Sequence, residues 1–201
     1  MATPIPPRKS TSLTDATTVS NAAPHYDGVQ RAFHWSMAAI ILVALILGLY
    51  CSFMVTGTPL RRSLLEWHKS LGLTALMLIC FRIAYRLTIR TPPYAEPIGR
   101  LAHIAAHGAH LLLYVLMLFM PLTGYLFSAA GGYSLQWFWL FHWPRVVPLD
   151  KTLAATGGAL HLYGAYVLYA VVTLHILAVV WHRVVKRDGV FARMWPDQRR
   201  S

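Results

Sequence analysis

The sequence predicts an all-α protein, an integral membrane four-helix bundle with both termini on the cytoplasmic side. Three observations predict it. The 201 residues are 56% hydrophobic and 12% charged, with a mean hydropathy of +0.47, a balance outside the range of ordinary soluble domains. Four apolar runs, at about 33–55, 67–88, 105–128 and 158–182, are each long enough to cross ~30 Å of hydrocarbon at 1.5 Å per residue. The basic residues also divide unevenly between the two ends of those runs.

The runs are rich in Leu, Ile, Val, Ala, Phe and Met, as membrane helices are. Backbone-breaking residues separate them. Gly57-Thr58-Pro59 follows the first, Thr91-Pro92-Pro93 and Glu96-Pro97 the second, and Gly131-Gly132 with Pro144 and Pro148 the third. The third connection is the longest, and its Trp137, Trp139 and Trp143 suit the membrane interface. Residues 1–28 are polar, without the apolar core of a signal peptide, and read as a disordered cytoplasmic tail. Residues 29–196 form the bundle domain, and 197–201 a basic C-terminal tail.

The formal net charge is +11. In a soluble chain that would suggest nucleic acid; between membrane spans it marks loops that face anionic lipid, so the expected partner is the bilayer and not nucleic acid. Thirteen of the 18 Lys and Arg residues fall in the N-terminal tail, the second connection or the C-terminal tail, and five (Arg61, Arg62, Lys69, Arg145, Lys151) on the other side. The positive-inside rule therefore places both termini in the cytoplasm. Cys51 and Cys80 stand alone, with no Cys-x-x-Cys-His, which excludes a covalently attached c-type haem and leaves two small packing residues.

Ionisable groups at membrane depth are costly and are functional candidates by default. The chain has ten histidines. His34 opens the first helix at the cytoplasmic side, and His68 opens the second at the outer side. His161 and His175 both lie in the fourth, 14 residues apart. That spacing is about 40° short of four turns, so the two share a face ~21 Å apart along the axis. Each level then holds two histidines from different helices: His34 with His175 inside, His68 with His161 outside. They are too far apart to share one ion, and two bis-imidazole sites suit two six-coordinate haem irons. Singly, each histidine would be read as an interhelical hydrogen bond.

Around this quartet lie weaker signals. Gly72 and Gly164 sit near the ligand faces, where a flat macrocycle needs room or where helices simply pack closely. Arg82 and Arg86, at i and i+4, suit haem propionates or phospholipid headgroups. His103, His107 and His110 form one stripe, open to a zinc site, a role near the cytoplasmic haem or a quinone, or a polar interfacial face. His182, one heptad beyond His175, suits a quinone carbonyl or a helix anchor. Arg61, Arg62, Lys69 and Lys151 form either a positive outer mouth for an anion or ordinary loop charges.

Taken together, the pieces resemble the bacterial cytochrome b561 family. They are Gln30-x-x-x-His34-Trp35, His68-x-Ser70-x-Gly72, Arg82-x-x-x-Arg86, Thr91-Pro92-Pro93, His107-x-x-His110 with Tyr114, Pro121-x-x-Gly124, the spaced His161, His175 and His182, and Arg193-Met194-x-Pro196. The match runs over about 28–196, and its order and spacing carry it. The resemblance implies a protein of the bacterial inner membrane with two non-covalent haems b, held by His34 with His175 and by His68 with His161. It implies exchange with ubiquinone near His182, and His110 is taken as a second quinone contact. A branch of the family oxidises superoxide at the periplasmic face and reduces ubiquinone, so a superoxide:ubiquinone oxidoreductase is expected. The N-terminal tail and the third connection depart from the pattern. The alternatives are a non-catalytic relay serving a dehydrogenase or hydrogenase as redox protein partner, and a haem-free transporter or structural protein. No side chain is assigned as catalytic beyond these sites.

Overall fold

The computed structural model describes residues 26–89 and 99–195. Residues 1–25, residues 90–98 with Thr91-Pro92-Pro93 and Glu96-Pro97, and residues 196–201 lie outside them. Four long helices dominate: α1 (Gly28–Ser52), α2 (Pro59–Thr88), α3 (Arg100–Ala130) and α4 (Lys151–Trp181). Each is long and apolar enough to cross a membrane, and many large apolar side chains, such as Leu111 and Leu174, face outward as lipid contact requires.

All four helices begin five to eight residues before the apolar runs do, and in α1, α2 and α4 a side-chain cap and not hydropathy sets the start. Asp27 accepts from the amides of Val29 and Gln30 at 2.9 and 3.0 Å and starts α1. Thr58 accepts from the Arg61 amide ahead of Pro59, which begins α2. Asp150 accepts from Leu153 at 2.9 Å and starts α4. In α3 the ring of Pro121 removes one amide donor, which costs an α-helix a backbone hydrogen bond.

The chain runs up and down. α1 packs on α2, α3 on α4, and α2 on α3. Leu116, Met120 and Leu168 form the buried centre, with Leu45 of α1 against them. Tyr169 donates its hydroxyl to the Leu45 carbonyl at 2.7 Å, which ties α4 to α1. Cys51 is buried and Cys80 lies on the outer surface, so only Cys51 packs inside.

One end is closed by a short hairpin, β1 (Gln136–Trp137) against β2 (Phe141–His142). Its turn holds Phe138 and Trp139 at φ of 45° and 60°, a region bulky side chains rarely adopt. Ser70 of α2 holds it there: Oγ accepts from the Phe138 amide at 2.9 Å and donates to the Gln136 carbonyl at 3.3 Å. Trp137 donates to Thr74 Oγ1 at 3.0 Å, and Trp67 packs on Phe138 and Trp139.

At the opposite end α4 runs into a π-helical turn (His182–Lys186) and a 3₁₀ turn (Ala192–Met194). This segment folds back on the start of α1. Trp35 donates to the Met194 carbonyl at 2.8 Å, Arg31 to that of Trp195 at 3.0 Å, and Tyr26 to that of Arg193 at 3.1 Å.

Candidate functional site

Each helix carries two notable residues 14 positions apart: His34 and Gly48 in α1, His68 and Arg82 in α2, His110 and Gly124 in α3, His161 and His175 in α4. Fourteen residues make nearly four turns, so both members of a pair face one side, ~21 Å apart. Antiparallel packing gathers the eight into two levels.

At the hairpin end the rings of His68 and His161 face each other, centroids 6.0 Å apart and planes at 89°. His68 Nδ1 lies 2.8 Å from the Ala44 carbonyl of α1. His161 Nδ1 lies 3.0 Å from the Met120 carbonyl of α3. A carbonyl only accepts, so each Nδ1 carries the hydrogen and each Nε2 keeps its lone pair, the arrangement by which outer partners prepare a metal-binding histidine. Two imidazoles bound through metal–nitrogen distances of about 2 Å have ring centroids about 6 Å apart. The donor chemistry and the separation thus fit one haem iron between the two rings.

Glycines make room for both rings. A Cβ at Gly48 would stand 3.1 Å from His68 Cε1, and one at Gly124 would stand 3.0 Å from His161 Cε1. The two glycines named from sequence behave differently. A Cβ at Gly72 would meet nothing within 4 Å, so that face of α2 is open. A Cβ at Gly164 would lie 2.7 Å from Met120 Sδ and 3.0 Å from Phe119. Gly164 therefore serves close packing of α4 on α3, the second of its two sequence readings.

At the other level His34, Arg82, His110 and His175 converge closely enough to interact electrostatically. Arg82 Nη2 lies 3.5 Å from His34 Nδ1. The rings of His110 and His175 are 5.8 Å apart, while His110 Nδ1 bonds its own helix at the Ala106 carbonyl, 2.7 Å away. Three histidines from three helices thus meet at this level, with His110 beside His175, in line with the reading that put its stripe near the cytoplasmic haem or a quinone. Arg82 and Arg86 lie over the Tyr114 ring at 5.5 and 5.8 Å. The buried Tyr114 hydroxyl has no hydrogen-bond partner among the described residues. Together with Gln30, Phe33 and Tyr85 these side chains line a cleft. Among the described residues no carboxylate pairs with Arg82 or Arg86, so a cluster of cationic and hydroxyl donors faces the cleft. That set fits the carboxylates of a haem.

His182 stands two turns beyond His175 on the same face of α4. Its Nδ1 is 2.5 Å from Asp188 Oδ2. His103 and His107 stack with centroids 4.0 Å apart. Among the described residues no group of three or more potential ligands could hold a free metal ion, which removes the zinc reading of that stripe. The basic residues at the hairpin end are also partly engaged. Lys69 pairs with Glu66 at 2.5 Å and donates to the Ser134 carbonyl, and Arg61 donates to the Cys51 carbonyl at 3.0 Å. Lys69 and Arg61 are thus structural anchors as much as an anion-attracting mouth.

A membrane-length bundle that presents facing imidazoles at one end and cationic donors at the other defines a membrane electron-transfer protein of the cytochrome b type. The family model for prokaryotic cytochrome b561 matches residues 25–197, and the chain belongs to that family of transmembrane haem b proteins. It is 30% identical over 178 residues to "Probable superoxide oxidase CybB" of Yersinia pestis, covering 87% of this chain and 97% of that protein. It is 27% identical over 175 residues to "Cytochrome b561 homolog 2" of Escherichia coli K12, covering 87% of this chain and 93% of that one. "Cytochrome b561 homolog 1" of the same organism is 21% identical over 174 residues.

Proposed function

We propose that the chain is a di-haem b cytochrome of the bacterial inner membrane, with both termini cytoplasmic, that passes electrons from superoxide at the periplasmic face to ubiquinone at the cytoplasmic end. His68 and His161 hold the outer haem, His34 and His175 the inner one. Arg82 and Arg86 hold propionates, and His182 and His110 meet the quinone. The observation that carries this reading is the His68–His161 pair, 6.0 Å apart with each Nδ1 on a backbone carbonyl. Bound haem supplies reversible one-electron storage at each level. The chain's own residues orient the rings, exclude water with the apolar centre around Leu116 and Met120, and supply cationic charge at the cleft. Superoxide as donor rests on the name of the Yersinia relative.

The test is stopped-flow absorption of the haem-loaded protein mixed with superoxide, then with ubiquinone. Haem reduction by superoxide followed by reoxidation by quinone is expected. Intact haems that ignore superoxide but accept electrons from a co-purifying flavin or iron–sulfur protein would make the chain a relay subunit instead.

A further inference from the structure

Reducing a quinone to a quinol takes two electrons and two protons. The structure carries a candidate for the proton side in a pair of residues with no part in holding haem. His182 caps α4 and opens the π-helical turn, and the chain then turns sharply: the Arg187 amide donates to the His182 carbonyl at 2.7 Å, and Arg187 and Gly189 take φ of 52° and 74°. This turn folds Asp188 back until Oδ2 meets His182 Nδ1 at 2.5 Å. The other oxygen, Oδ1, accepts from the Val190 amide at 3.2 Å, which fixes the carboxylate. Partial burial acts to raise the Asp188 carboxyl, but the hydrogen bonds from His182 and Val190 outweigh it and hold the group below the usual carboxylate range.

Three consequences follow. The carboxylate is ionised and accepts, so Nδ1–H is committed to it, and Nε2 is the nitrogen left for a ligand. His182 lies two turns beyond His175 at the C-cap of α4, which places it at the end of the bundle next to the level of His34 and His175. The two side chains are 33% and 25% exposed, enough to exchange protons with water. Exposed ion pairs contribute little to stability, so anchoring alone accounts poorly for so constrained a turn.

We propose that His182 and Asp188 are the proton-delivery pair for quinone reduction. The His182 imidazolium donates Nε2–H to a quinone carbonyl oxygen, and Asp188 is the positioning residue that sets the tautomer and stabilises the charged ring. One proton comes from the imidazolium and leaves neutral His182 with Nδ1–H still on Asp188. The second comes from water, and His182 is reloaded from water at its exposed edge. Haem, when bound, would supply the two electrons. The proposal rests on the reading that quinone meets the chain at this end.

The test uses full-length, haem-loaded protein, reduced chemically and mixed with a short-chain water-soluble ubiquinone at several concentrations, in H₂O and in D₂O. Asp188→Asn is expected to lower the saturating rate of haem reoxidation about 10-fold, with half-saturation and the haem spectrum unchanged and an enlarged solvent isotope effect. Asp188→Glu restores most of the rate, and His182→Gln lowers it about 100-fold. A wild-type saturating rate in Asp188→Asn, or a change in half-saturation alone, overturns the proposal. If Asp188→Asn loses haem, the wild-type isotope effect decides, and its absence overturns the proposal. If quinone fails to reoxidise the wild-type haems at all, the functional reading falls, and the pair with it.

Discussion

The ring of His161 lies directly against Gly124, so close that a Cβ there would stand 3.0 Å from Cε1. The same relation holds between His68 and Gly48, at 3.1 Å. Each outer histidine is therefore fixed twice, by a carbonyl at Nδ1 and by a glycine against its edge. Helices α1 and α3, which supply the glycines and the carbonyls, act as the frame for the two histidines carried on α2 and α4.

Gly124→Val is accordingly expected to displace the His161 ring and abolish the outer haem while sparing the inner one. The count would fall from two haems b per chain to one, read from the reduced pyridine haemochrome. Overpacking of this kind costs about 1–3 kcal/mol, so folding should survive. Gly124→Ala needs a shift of only a few tenths of an ångström and should keep both haems, with an altered outer-haem spectrum. Two intact haems with wild-type spectra in the valine variant would remove the outer site from this position.

The inner level poses a choice, because His110 approaches His175 as closely as a fellow ligand would. With His34 and His175 as the pair, His34→Ala loses the inner haem and His110→Ala retains it. Loss of one haem in His110→Ala with two retained in His34→Ala would reverse the assignment. Difference spectra with a haem count on the two variants, beside His161→Ala, measure it.

Arg82 and Arg86 share the face of Tyr114 without a carboxylate partner among the described residues. Positive charge beside a haem favours the reduced, less positive state. Removing one such charge at ~8 Å costs on the order of 1–2 kcal/mol at an effective dielectric of about 20. Arg82→Gln is therefore expected to lower one midpoint potential by several tens of millivolts and leave the other in place, as read by a redox titration. Equal shifts of both potentials would mean a global change, and no shift would place the guanidinium away from the haem.

Much of this was legible in the residues. Hydropathy marks all four spans, and the His161–His175 spacing with the positions of His34 and His68 suffices to define two levels. The helix starts were legible too, in Asp27, Thr58-Pro59 and Asp150, but those signals are polar and fall outside the apolar runs. Gly48 carries no motif, and Gly124 enters only through Pro121-x-x-Gly124, although each lies 14 residues from a histidine on its own helix, the step already visible in α4. The Ala44 and Met120 carbonyls left no trace, since every residue has a carbonyl and only packing decides which one faces an imidazole. The Asp188 contact was hidden as well, because it depends on Arg187 adopting a left-handed conformation that arginine does not signal.

The hairpin over the outer level depends on Ser70, which is buried and is the link from α2 to both Phe138 and Gln136. Phe138 and Trp139 hold strained conformations that cost on the order of 1 kcal/mol or more each, so the turn persists only while its anchors do. Ser70→Ala leaves a backbone amide and a carbonyl without their partner, at a cost of about 1–3 kcal/mol. Local opening of residues 136–142 should then become about 10-fold or more easier, visible as faster amide exchange in that segment with the helices unchanged. Both haems should remain, because His68 and His161 take their support from Ala44, Met120 and the two glycines rather than from the hairpin. Unchanged exchange at 136–142 would show that Trp137–Thr74 and the stacking on Trp67 suffice, and loss of the outer haem would show that the hairpin is part of its frame.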